Sequence, residues 1–198
     1  LGNDPAMECT NGACNGANGC ALDQGQTCAI GGDCLSALCV DGYCCDKACG
    51  GACDVCNQNN AEGTCTLLSA GSLGTPTCSP FVCDGNGASC PMICQNDSQC
   101  ASGFWCSANA CVPQKMNAAT CGASNECASS FCADGVCCDQ ACGDACDACN
   151  LMGTVGSCTV VTQGAPGAPS CTPYTCDGVN ASCPMSCTVD MECGSGFW

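Results

Sequence analysis

Apolar residues in this chain fall in short clusters of two or three, each cut off by cysteine, glycine or an acidic turn former. Leu38-Cys39-Val40 and Tyr43-Cys44 flank Asp41-Gly42, a dipeptide that predicts a tight β-hairpin. Phe131-Cys132 and Val136-Cys137 flank Asp134-Gly135 in the same way. Thr64–Leu68 and Ser157–Val161 predict further short strands. Cysteines at 49, 53 and 56, and again at 142, 146 and 149, are spaced i, i+4, i+7. That spacing predicts a single helical turn within 46–56 and within 139–149. Longer helices are excluded, because most segments between cysteines are too short for three turns. The adjacent pairs Cys44-Cys45 and Cys137-Cys138 are expected to bridge in two directions, since successive strand side chains face opposite sides.

The clusters recur. From Cys28 to Cys100 the gaps between successive cysteines are 5, 4, 4, 0, 3, 3, 2, 8, 12, 4, 6, 3 and 5 residues, and the same series runs from Cys121 to Cys193. The offset is 93 throughout, and 40 of 78 aligned positions match without a gap. Beyond cysteine, the shared residues are turn formers such as Asp84-Gly85 and Asp177-Gly178. Gln58–Glu62 matches nothing in Leu151–Val155, as expected of an exposed loop tip. The domain organisation read from this is a partial module over 1–27, a complete repeat over 28–120, and a second repeat over 121–198 that is cut short. By analogy with Cys106 and Cys111, the second repeat is expected to continue with cysteines at 199 and 204.

Composition decides how such a chain can be ordered. Of 198 residues, 33 are cysteine, against 8 Leu, 2 Ile, 10 Val and 4 Phe. Fewer than roughly 20% of those four apolar types, with high net charge, normally means disorder. Cross-links must therefore supply the order. A reduced metal-thiolate chain is the competing reading, but thiolates would add charge to a chain already at −16. Disulfides are the better account, and they place the protein outside the cytoplasm, extracellular or on a cell surface. The fold class read here is small and disulfide-rich: tandem cysteine-knotted modules with short β-hairpins, little helix and no conventional hydrophobic core.

Charge and residue types narrow function. Lys47 and Lys115 are the only basic side chains, which argues against nucleic acid as a partner. No apolar run is long enough for a membrane helix. The absence of histidine removes imidazole bases and mixed Cys/His zinc sites. No catalytic residue, cofactor or metal site is assigned, and an enzyme is not expected. Asp41, Asp46 and Asp54, with Asp134, Asp139 and Asp147, are read as solvated turn carboxylates rather than calcium ligands. The methionines, Met92 and Met185 among them, are read as gap fillers.

The cysteine total is odd, so one cannot pair within the chain. Two explanations stand: a longer native protein, or a tail whose Cys187 and Cys193 find partners in Cys9, Cys14 or Cys20 of the next chain. Phe104-Trp105 and Phe197-Trp198 are candidate contacts between modules. Asn96-Asp-Ser and Asn180-Ala-Ser fit the glycosylation sequon, so a glycan is a possible addition.

The stretch Cys94-Gln-Asn-Asp-Ser-Gln-Cys-Ala-Ser-Gly-Phe-Trp-Cys106, followed by Cys111 and then Cys121 to Cys149, resembles the cysteine-rich tandem repeats of secreted and surface proteins from myxobacteria and related bacteria. Its shorter part is similar to the Dickkopf N-terminal cysteine pattern. The resemblance implies extracellular, disulfide-bonded modules and carries over no catalytic residue. The expected function is structural: a filament, stalk or matrix, self-associating head to tail as a homopolymer. The alternative is a secreted binding module, an adhesin or protease inhibitor, acting through the variable loop Asn57–Gly63.

Overall fold

The computed structural model describes residues 12–14 and 19–197, and the side chains of Ala13 and Cys14 lie outside what it describes. The chain divides into two compact units, Leu1–Val112 and Pro113–Trp198. The second begins at Pro113 rather than at Cys121. The reason is local: Lys115 bridges to Cys127 in parallel, and its N–H donates to the Glu126 carbonyl at 2.6 Å. Leu22 makes the matching bridge to Cys34 in the first unit.

Regular structure among the described residues is limited to two-stranded pairs and single 3-10 turns. The first unit holds β1 (Gly12–Cys14) with β2 (Cys20–Leu22), β3 (Cys39–Val40) with β4 (Tyr43–Cys44), β5 (Asp54–Val55) with β6 (Thr66–Leu67), and β7 (Phe104–Ser107) with β8 (Ala110–Pro113). The second unit holds β9 (Cys132–Ala133) with β10 (Val136–Cys137) and β11 (Asp147–Ala148) with β12 (Thr159–Val160). In the β3–β4 hairpin Val40 faces Tyr43, leaving Asp41-Gly42 as a two-residue loop with φ of 52° and 81°. Two positive φ values define the type I′ turn, whose twist matches that of the strands. Asp134-Gly135 repeats it at 51° and 77°.

The expected helical turns at 46–56 and 139–149 are absent. These segments are bends leading into β5 and β11. The three cysteines that suggested a helix face leave in three directions: Cys49 to Cys65, Cys53 to Cys83, and Cys56 back to Cys45. A spacing that reads as one helix face is here a spacing between separate anchor points. The vicinal cysteines do diverge, Cys44 to Cys34 and Cys45 to Cys56, and the second unit copies this.

Six disulfides recur at the repeat offset, from Cys28–Cys39 and Cys121–Cys132 through to Cys78–Cys90 and Cys171–Cys183. Among the described residues, the buried hydrophobic positions are cysteines apart from Ala21, Val82 and Ala101. Disulfide sulfur takes the place of a conventional core, in separate small clusters. In one, the Sγ atoms of Cys53 and Cys78, from neighbouring disulfides, lie 3.4 Å apart; Cys146 and Cys171 repeat the contact at 3.4 Å. Among the described residues methionine is not a filler. Met92 and Met185 are 86% and 91% exposed, because interiors this small are already full of cystine.

Candidate functional site

One device recurs in both units. Two cysteines separated by five residues bracket a single 3-10 turn, as at Gly31–Asp33, Asp97–Gln99 and Ser124–Glu126. The last residue of the turn reaches back to the first backbone N–H groups. Asp33 accepts from Ala29 and Ile30 at 2.9 and 3.0 Å, Gln99 from Gln95 at 2.6 Å, and Glu126 from Gly122 at 3.2 Å. These bonds hold the Asp33 carboxyl below its ordinary range. The Lys115 ammonium, donating to Glu126, does the same for that carboxyl.

These three brackets are then bonded to hairpins, first cysteine to first and second to second. Cys28 and Cys34 bond Cys39 and Cys44 of β3–β4; Cys121 and Cys127 bond Cys132 and Cys137 of β9–β10. Cys94 and Cys100 bond Cys106 and Cys111 of β7–β8. The fourth bracket differs. Cys187 and Cys193, around the turn Asp190–Glu192, are bonded to each other. The expectation that they stand without partners in the chain is thereby corrected. At the other end, β1 pairs with β2 so that Cys14 faces Cys20, the register by which Cys39 faces Cys44. Cys20 is disulfide-bonded, and Cys9 lies outside the described residues.

The aromatic candidates divide. Phe104 packs within its own unit against Cys94, Cys100 and Cys111, and so works as a plug there. Trp105 is partly buried, and its indole N–H is enclosed without an acceptor. Phe197 is 50% exposed, and Trp198 lies outside the described residues. Asn96 and Asn180 are both exposed. The Asn180 amide donates to Asp177 at 2.6 Å, while Asn96 accepts from Ser98.

The acidic residues do not form one class. Asp41 spans two elements, its Oδ2 accepting from the Cys56 N–H at 2.8 Å, and Asp134 does the same for Cys149 at 2.8 Å. Asp46 and Asp139 accept from Cys65 and Cys158 at 2.8 and 2.9 Å. Asp54 departs from the solvated-turn reading. It is buried, at 9% exposure, and its Oδ1 has no hydrogen-bond partner. Asp147, its copy, is half-buried with the same orphaned oxygen. Burial, then the nearby charges of Asp144 and Asp134, hold the Asp147 carboxyl above the ordinary range. The sequence carried one signal for this pair: Asp54 and Asn57 recur as Asp147 and Asn150 beside a loop that otherwise diverges.

Triplets of sulfur atoms also lie close together, Cys53, Cys78 and Cys83 for example. Those sulfurs belong to adjacent disulfides, so they offer no thiolate to a metal. No helix among the described residues is long and apolar enough to cross a membrane. The chain is therefore a disulfide-stabilised protein of small cross-linked modules, of a kind compatible with an extracellular setting. Compared with protein-family models, curated proteins and solved structures, it matches none.

Proposed function

We propose that the chain is a structural extracellular repeat protein that extends head to tail into a filament, stalk or matrix, with an architectural rather than catalytic role. The observation that carries this reading is the recurrence of six disulfides at one 93-residue offset, so that what repeats is cross-links and turns rather than reactive groups. Cys187 and Cys193 are bonded to each other, and they are the pair taken to open toward a next chain. In the proposed joint, the Cys187–Cys193 disulfide exchanges with the disulfide that holds Cys20 of an incoming chain. Two bonds within chains become two bonds between chains, with no net oxidation; a trace thiolate starts the exchange and is returned at its end. A heterologous contact of this kind gives open fibres when its rotation does not close. The high negative charge keeps the units soluble until the covalent joint forms.

The test is gel mobility and intact mass of thiol-blocked protein, with and without reductant, for the chain and for the double variant Cys187→Ser/Cys193→Ser. The reading expects a ladder only without reductant, and its loss in the variant. A single 19.5 kDa species under both conditions would sink the covalent joint and favour binding through the Asn57–Gly63 loop instead. A ladder that persists in the variant would place the joint elsewhere.

A further inference from the structure

Asp54 and Asp147 are expensive residues to place where they are. A buried carboxylate with an unsatisfied oxygen costs free energy unless something cationic meets it. Among the described residues no cation pairs with either: Lys115 is engaged with Glu126 and the Thr120 carbonyl, and Lys47 makes no ion pair. Yet the aspartate is present in both units, although more than a third of the aligned positions differ.

The surroundings point to a ligand. In the second unit Asp147 lines a hollow of about 280 Å³, together with Asp134 and Asn150. The rest of that wall is small residues, Ala145 and Gly167 among them, which leave the space open. Asp134 is fixed by the Cys149 N–H at its Oδ2, and Asn150 is fixed through its Nδ2, which donates to the Asp134 carbonyl at 3.3 Å. That arrangement leaves the Asn150 Oδ1 without a role in holding the side chain. Two carboxylates and an amide oxygen around a hollow are hard oxygen donors, the set a calcium ion takes. The first unit holds the same three residue types, Asp41, Asp54 and Asn57, with Asp41 fixed in the same way by Cys56.

We propose that each unit binds one calcium ion, through Asp41, Asp54 and Asn57 in the first and through Asp134, Asp147 and Asn150 in the second. The ion neutralises the buried carboxylate and ties the hairpin turn to the strand that follows it. The inference does not depend on how units assemble. Affinity on the order of 10⁻⁴–10⁻³ M is expected, the range of extracellular calcium modules. The second site is the tighter, because Asp144, whose charge reaches Asp147, stands where the first unit has Gly51.

The test is calorimetric titration of calcium into chelator-treated full-length protein, followed by thermal unfolding with and without the ion. Two sites are expected, with a rise in the unfolding midpoint and weaker binding of magnesium. Asp54→Asn/Asp147→Asn should weaken both sites at least tenfold. In chelator that variant should be no less stable than the parent, since it removes an unpaired buried charge. Asp144→Gly should lower the second affinity severalfold, toward the first. The exposed double variant Asn57→Ala/Asn150→Ala serves if the aspartate variant does not form its full set of disulfides. No saturable uptake below 10 mM, or uptake unchanged in both double variants, would overturn the proposal and leave the hollow beside Asp147 to water.

Discussion

Removing the disulfide between Cys53 and Cys83 should be the most damaging single cross-link change in the first unit. Its residues are 30 apart in sequence, the widest span among the described pairs there. In the loop-entropy picture a 30-residue loop contributes about 3.6 kcal/mol through the unfolded state. The bonds interlace, so the unfolded chain is already shortened by Cys49–Cys65. Running from Cys53 back to Cys49, across that bond and on to Cys83 leaves an effective loop of about 23 residues, or about 3.4 kcal/mol. Cys53 and Cys83 are also almost fully buried, at 0% and 1% exposure. Replacing both with alanine leaves two sulfur-sized voids among Cys78 and Leu68, adding about 1–2 kcal/mol. The total, about 5 kcal/mol, equals the whole stability of a marginal domain. Cys78→Ala/Cys90→Ala is the control: it opens a 12-residue separation, worth about 2.8 kcal/mol, at a pair that is less deeply enclosed. Guanidinium unfolding of both variants, with remaining disulfides counted by mass, gives the comparison. Equal losses, or a larger loss in the control, would refute the view that span and burial set the worth of each bond.

Further outcomes follow from turns and charges. Gly63→Ala should prevent closure of the first unit, because a Cβ there lies 2.2 Å from the Gly25 nitrogen at φ of 83°; Gly42→Ala, with open space around it, should cost only about 1–2 kcal/mol, read from unfolding midpoints. Acidification should weaken the fold as pH drops below the ordinary carboxylate range, since hydrogen bonds to N–H groups hold Asp33, Asp84, Asp139, Asp177 and Glu192 low, and Lys115 holds Glu126 low. Their stabilisation is complete above the unfolded pKa and is lost as pH falls through the folded one. Asp147 runs the other way: its raised folded pKa makes stability fall as pH rises from the unfolded value through the folded one in chelator, so Asp147→Asn should remove that fall from a midpoint-against-pH curve. Lys115→Met should return the Glu126 titration toward the ordinary value, measurable by NMR.

Some of this was legible in the residues. The β3–β4 and β9–β10 hairpins could be placed because two consecutive positive φ values demand something like Asp-Gly, and nothing else between the flanking strands supplies it. The divergence of Cys44 and Cys45 followed from strand geometry alone. The 3-10 turns inside the five-residue brackets were missed, for Asp33, Gln99, Glu126 and Glu192 share a position and a role but not a residue type. Connectivity was out of reach, since spacing carries no record of which sulfur meets which. The misread turn at 46–56 shows the cost: periodicity identifies a face only when neighbours share a partner, and Cys49, Cys53 and Cys56 do not. Asp54 reads as a solvated turn carboxylate because no calcium-loop pattern surrounds it in sequence; its burial comes from the folded packing, which spacing does not record.

The cystine interiors have a thermal consequence. Heat capacity rises on unfolding chiefly because apolar surface becomes hydrated, and here little apolar surface beyond cysteine and a few Leu, Val and Phe contacts is hidden to begin with. Intact disulfides also keep the denatured chain compact, so still less surface opens. The free-energy curve against temperature should then be shallow and broad, with its two crossing points far apart. A material built of such units would change little in strength from cold water to hot, where a protein held by a greasy core weakens at both ends.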